Sequence, residues 1–98
     1  MIMDVYFKPP FRKFVKKQAR PFQLVIEDEV DKIIDDPGLG ASKKGDLADF
    51  RVHKFYYRNQ VYLVSYQLRE SELDFFTVGT HENFYRELKR YVKEMGGS

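Results

Sequence analysis

With 98 residues, 43% of them hydrophobic and nine Phe and seven Tyr among them, the chain is long enough for one domain with its own core. It has no cysteine, which excludes a disulfide framework, a Cys-ligated metal and a thiol nucleophile. A net charge of +2 does not announce a nucleic-acid binder, so any electrostatic role rests on how the charges are distributed.

Met1–Phe7, with Ile2, Val5 and Phe7, reads as an opening strand. Pro9-Pro10 stops it and suits the first turn of a helix, where the missing amide costs nothing. Phe11, Phe14 and Val15 form a short apolar stripe in a basic helix that ends before Arg20-Pro21. A second helix, about Pro21 to Asp35, carries Phe22, Ile26, Val30 and Ile33 on one side. The two helices make a hairpin that must bury its stripe on something flat. Asp36-Pro37-Gly38-Leu39-Gly40 ends the second helix; its glycines are turn chemistry, since no Gly-Lys-Ser/Thr motif follows a strand here. Ala41–Leu47 reads as a loop that exposes Lys43 and Lys44.

From Ala48 the hydrophobic period changes to two. Phe50, Val52, Lys54 and Tyr56 alternate with Arg51, His53, Phe55 and Tyr57, and Arg58-Asn59 is a hairpin turn. Gln60–Leu68 is the next strand, Arg69-Glu70-Ser71 a second turn, and Leu73–Val78 the third strand of a meander. Gly79 then turns the chain into the last helix. Thr80 is placed to cap it with its hydroxyl, and His81 is its first helical residue, beside amides that attract an anion. Phe84, Leu88 and Tyr91/Val92 recur at helical spacing and face the core; Tyr85, Arg86, Lys89, Arg90 and Lys93 fall off that stripe. The expected fold is α+β: an N-terminal strand and helical hairpin packed on a mostly antiparallel sheet, with a C-terminal helix. It is one domain over residues 1–98, fraying at 95–98. No apolar run is long enough to span a membrane and no signal-peptide core is present, so a soluble cytoplasmic protein is the expectation.

Six acids (Glu27, Asp28, Glu29, Asp31, Asp35, Asp36) crowd the end of the second helix against one lysine, Lys32. Positive charge gathers at Lys8–Arg20, Lys43–Arg58 and Arg86–Lys93. Were these three segments to meet on one face, it could hold phosphates while the acidic helix points elsewhere. The alternative is scattered surface lysines. If Phe50 and Val52 face the core, Arg51 and His53 share the opposite, open face, whose end His81 could close; Tyr62, Val64, Tyr66, Phe76 and Val78 then point in, and Leu63, Ser65 and Thr77 out. Two imidazoles and an arginine suit phosphodiester chemistry: one group deprotonates a 2′-hydroxyl, a cation steadies the phosphorane and another group protonates the leaving 5′-oxygen. The plainer reading makes His53 an exposed strand residue and His81 an ordinary helix start. No third ligand stands at metal-site spacing beside the histidines, so neither a metal nor another cofactor is expected. Most of the aromatic excess is core, with Tyr56, Tyr57 or Tyr85 available to stack on unpaired bases.

Three segments, Asp49-Phe50-Arg51-Val52-His53-Lys54-Phe55, Tyr62-Leu63-Val64-Ser65-Tyr66 and Gly79-Thr80-His81-Glu82-Asn83-Phe84-Tyr85-Arg86-Glu87-Leu88-Lys89-Arg90, together with the order of elements, resemble the RelE/ParE superfamily of bacterial type II toxins. The resemblance spans nearly the whole chain, most specifically Asp49 to Arg90, and is nearest to the branch whose last helix opens His-Glu-Asn-Phe-Tyr. It implies a toxin held inactive by a cognate antitoxin. RelE-type members enter the ribosomal A site and cut mRNA without a metal, through 2′-hydroxyl attack. The resemblance sets Arg51 and His53 where RelE proteins carry two basic strand residues. His81 falls where they carry an arginine or histidine, and Tyr85 near their functional tyrosine. The pattern departs at Leu63, where RelE proteins place a catalytic arginine. Arg51, His53, His81 and Tyr85 are thus the expected catalytic residues, and Lys43, Lys44, Lys54, Arg58 and Arg86 the expected phosphate holders. ParE-type members share the scaffold and poison DNA gyrase without these residues, and a module that only binds its antitoxin is the third reading.

Overall fold

The computed structural model describes residues 3–94, without the side chain of Asp46. The expected beginning of the first strand at residues 1–2 and the frayed tail at residues 95–98 lie outside the described residues.

Strand β1 (Asp4–Phe7) leads to helices α1 (Pro9–Lys16) and α2 (Arg20–Asp35), followed by a two-residue strand β2 (Ala41–Ser42) and a turn of 3-10 helix at Gly45–Leu47. Strands β3 (Arg51–Tyr57), β4 (Gln60–Arg69) and β5 (Glu72–Thr80) form the meander, and helix α3 (His81–Val92) closes the chain. The five-stranded sheet has the order β1-β5-β4-β3-β2, parallel only between β1 and β5. The α+β expectation holds throughout. The segment read as a loop contains β2, which pairs with the start of β3.

Local chemistry accounts for the ends of these elements. Each helix of the hairpin has proline in its first turn. The β3–β4 turn has Arg58 at φ 47° and Asn59 at φ 64°, the two positive values that match the twist of a tight hairpin. The Asp36–Gly40 turn is fastened to the sheet by Tyr66, whose hydroxyl donates to the Pro37 carbonyl at 2.6 Å and accepts the Gly40 amide at 2.8 Å. Glycine is required there by close approach, because a Cβ at position 40 would sit 2.8 Å from the Tyr66 oxygen. Burial pushes the Tyr66 phenol up from its ordinary range, so it stays a neutral donor. Tyr66→Phe is expected to cost about 1–3 kcal/mol by leaving a buried amide and carbonyl unpaired, read as a lower urea midpoint at unchanged slope.

Both faces of the sheet are covered. On one, α1 and α2 bury Phe11, Phe22, Ile26, Val30 and Ile33 against Phe55, Val64, Tyr66, Leu73, Phe75 and Val78. On the other, α3 buries Phe84 and Leu88 against Leu47, Phe50, Val52, Leu63 and Phe76. This corrects the expectation of one open face: Leu63 and Ser65, expected outside, are buried beneath α3 or within the sheet. The expected alternation on β5 also fails, because the β4–β5 register passes from Ser65↔Thr77 to Tyr66↔Phe75. Phe76 is the extra residue of a β-bulge, so it joins the α3 cluster while Phe75 and Val78 join the other. Thr77, expected outside, is buried with its hydroxyl 2.6 Å from that of Ser65. No helix among the described residues is long and apolar enough to cross a membrane.

Candidate functional site

The alternation along β3 is as the sequence indicates, but its consequence is different. Phe55 belongs to the core under the hairpin and Val52 to the core under α3. Arg51, His53 and Tyr57 therefore lie on the hairpin side with Phe55, and Lys54 and Tyr56 on the α3 side with Val52.

Arg51 and His53 are tied into the scaffold. The Arg51 guanidinium donates from Nη1 to the Gly40 carbonyl at 2.7 Å, holding the turn that follows α2. His53 Nε2 lies 2.7 Å from Glu29 Oε1, with both side chains only 12% exposed. Lys32 Nζ donates to the other oxygen of Glu29 at 2.9 Å. The expectation that His53 faces an open groove is thus corrected. Glu29 sits one turn from Ile26 and Ile33, and packing that stripe on the sheet brings its carboxylate onto the imidazole. Burial pushes the Glu29 carboxyl up, but the hydrogen bonds and charges of His53 and Lys32 outweigh it and hold the group below its ordinary range. A lowered native pKa means a stabilisation that is present at neutral pH and lost as the pH falls through that lowered value. Glu29→Gln should cost about 1.5–3 kcal/mol at pH 7. The difference from wild type should close in urea titrations stepped to pH values below the usual glutamate range.

A second group of predicted residues gathers on the α3 side. Thr80 is the N-cap residue by its backbone (φ −72°, ψ 156°), but its hydroxyl makes no cap hydrogen bond, contrary to the expectation. His81 follows as the first residue of the helix and is exposed. Its ring meets Tyr85 edge-on at 6.4 Å, and Tyr85 is braced in turn against Phe84 at 5.0 Å. Lys43 Nζ stands 5.3 Å over the Tyr85 ring. It is brought there because its own amide donates to the Phe50 carbonyl at 3.0 Å, extending the β2–β3 pairing by one residue. Lys54 lies in the row Lys54, Leu63, Gly79 that crosses β3, β4 and β5 and ends just before α3 begins. At Gly79 a Cβ would meet nothing within 4 Å, so the end of that row is open.

The structure therefore brings together His81, Tyr85 and Lys43, sets Lys54 on the same side of the sheet, and separates Arg51 and His53 from them by the thickness of the sheet. Lys44 is exposed beside Lys43. Arg86 is exposed and donates to Asn83 at 2.7 Å. Arg58 lies over Tyr57, 5.4 Å from its ring centre, at the hairpin tip. The apolar residue at position 63 has a packing reason, since it forms part of the floor beneath Phe84 and Leu88. Sequence reasoning placed Lys54 among the phosphate holders but did not set it on the side of His81; the alternation that puts it opposite Arg51 and His53 was the available signal. Among the described residues no three carboxylate or imidazole side chains converge as metal ligands.

A family model for ParE-like toxins of type II bacterial toxin-antitoxin systems matches residues 5–89. The free E. coli toxin RelE, solved as a double mutant, is similar in structure: TM-score 0.66 at 19% identity, over 92% of this chain and 98% of that one. The same RelE mutant in complex with a peptide of the antitoxin RelB aligns with TM-score 0.65 at 16% identity, over 89% and 95% of the two chains. E. coli YafQ aligns with TM-score 0.54 at 15% identity, over 85% and 98%. At such identities the likeness is one of fold. No curated protein matches the sequence significantly.

Proposed function

The chain belongs to the family of ParE-like toxins of type II bacterial toxin-antitoxin systems, and on that premise we propose that it is an endoribonuclease that cleaves mRNA in the ribosomal A site, inhibits translation and is neutralised by a cognate antitoxin. The observation that carries this reading is the grouping of an exposed imidazole, a phenol and an ammonium group, His81, Tyr85 and Lys43, on the side of the sheet that also carries Lys54. The reaction needs a proton acceptor, a proton donor and positive charge beside one phosphate.

In this mechanism His81 takes the proton of the 2′-hydroxyl as its oxygen attacks the adjacent phosphorus. Lys54 and Lys43 stabilise the doubly negative phosphorane. The bond to the 5′-oxygen then breaks, and that oxygen takes a proton from the Lys54 ammonium, leaving a 2′,3′-cyclic phosphate and a 5′-hydroxyl. Tyr85 orients the substrate beside His81, while Lys44 and Arg86 hold neighbouring phosphates. Arg51 and His53 maintain the turn after α2 and the seat of α2 on the sheet, and Arg58 braces the hairpin tip.

The test is primer extension on a defined mRNA in a purified bacterial translation mixture, with and without ribosomes. Cuts that need ribosomes support the reading in full. Cuts on naked RNA keep the nuclease and remove the A-site step. A second reading, gyrase poisoning, draws on the ParE-like family description and on the apolar residue at Leu63; intact mRNA together with double-strand DNA breaks would establish it instead.

A further inference from the structure

The tip of the β3–β4 hairpin carries an aromatic ring with no aromatic or cationic partner among the described residues. Tyr56 is 67% exposed, more than any other large apolar side chain described. Other tyrosines near the site are engaged: Tyr57 stacks on Phe22 at 4.3 Å and carries Arg58 on its ring, and Tyr85 contacts Phe84, His81 and Lys43. Tyr56 lies on the same side of β3 as Lys54, two residues further along, a separation of about 7 Å in an extended strand. Its cross-strand neighbour is Val61, and the exposure of Tyr56 leaves its ring open to solvent. The positive φ angles of Arg58 and Asn59 make the tight turn that follows, so the ring is presented by a paired strand next to a hairpin turn.

We propose that Tyr56, beside Lys54, forms a subsite for one unpaired nucleotide of single-stranded RNA, the nucleotide joined to the scissile phosphate that Lys54 holds, with its base stacked on the Tyr56 ring. This rests on the nuclease reading and extends the site one nucleotide beyond His81. A ring that offers only its face accepts any of the four bases, so the subsite adds affinity for unpaired RNA without choosing a sequence. Duplex RNA, whose bases are stacked on one another, cannot use it.

The experiment measures single-turnover cleavage at sub-saturating protein in the ribosome-containing mixture, for wild type, Tyr56→Ala and Tyr56→Phe. Each is tested on intact mRNA and on mRNAs carrying one abasic nucleotide at successive positions beside the cut. Tyr56→Ala should slow cleavage about 5- to 150-fold, the span of single base–aromatic stacking, while Tyr56→Phe stays near wild type. One abasic position should slow wild type by a similar factor and leave Tyr56→Ala unaffected, an interaction that a structural role for the ring would not produce. Thermal melts of both variants should match wild type. Equal cleavage by Tyr56→Ala, or an abasic penalty of the same size in both proteins, overturns the subsite and leaves the nuclease standing. Absence of cleavage by wild type, with and without ribosomes, overturns both.

Discussion

His81→Ala is expected to lower RNA cleavage by about 100- to 10,000-fold, the contribution of one positioned proton-transfer group. The side chain is exposed at the start of α3, and its ring approaches Tyr85 edge-on. Its removal therefore takes away chemistry and little packing. The variant should keep the wild-type thermal midpoint and its affinity for the antitoxin, and should no longer arrest growth when expressed without that partner. His53→Ala provides the contrast. With His53 bonded to Glu29 at 2.7 Å beneath α2, that change should lower stability first and activity only through it. An active His81→Ala protein beside a well-folded but inactive His53→Ala protein would reverse the assignment and move the reaction to the hairpin side of the sheet.

Phe75→Ala is expected to have the largest effect on stability, about 3–5 kcal/mol. The ring is fully buried and lies 5.3 Å from Phe7, 5.7 Å from Phe11 and 5.9 Å from Tyr66, so it joins β1, α1 and β4 through one side chain. Strand β1 has a single partner in the sheet, β5, and loses its anchoring ring with the substitution. For a domain whose total stability is about 5–15 kcal/mol, such a loss brings the unfolded population into view at physiological temperature. Urea unfolding at unchanged slope should show the drop, and Phe75→Leu should recover much of it. A cost below about 1 kcal/mol would mean that this junction of strand and helix relaxes around the missing ring.

The parts of the fold that were legible in the sequence are those set by local periodicity and local chemistry. Proline at each helix start, the apolar residues of α2 at helical spacing, the two-residue alternation of β3 and the turn at Arg58-Asn59 all report on backbone geometry within a few residues. The structure bears each of them out. The candidate site was legible only as a set of residue types. Alternation assigned Arg51 and His53 to one face and Lys54 and Tyr56 to the other, but it carries no information on which helix covers which face.

By itself, then, the sequence determined the elements other than β2, their order, the two sides of β3 and the resemblance to type II toxins. Tertiary structure alone decided which chemistry meets which. Packing of α3 buries Leu63, and the helical hairpin covers the face of Arg51 and His53 that had been expected to be open. Packing of α2 carries Glu29 onto His53. A single extra residue at Phe76 shifts the phase of β5, and one additional backbone pairing beyond β2 brings Lys43 over Tyr85. The physical reason is common to all four. Periodicity is set by covalent geometry over a few residues, whereas the cover of a face and the register of a sheet are chosen by contacts between segments distant along the chain, which the pattern of one segment does not encode.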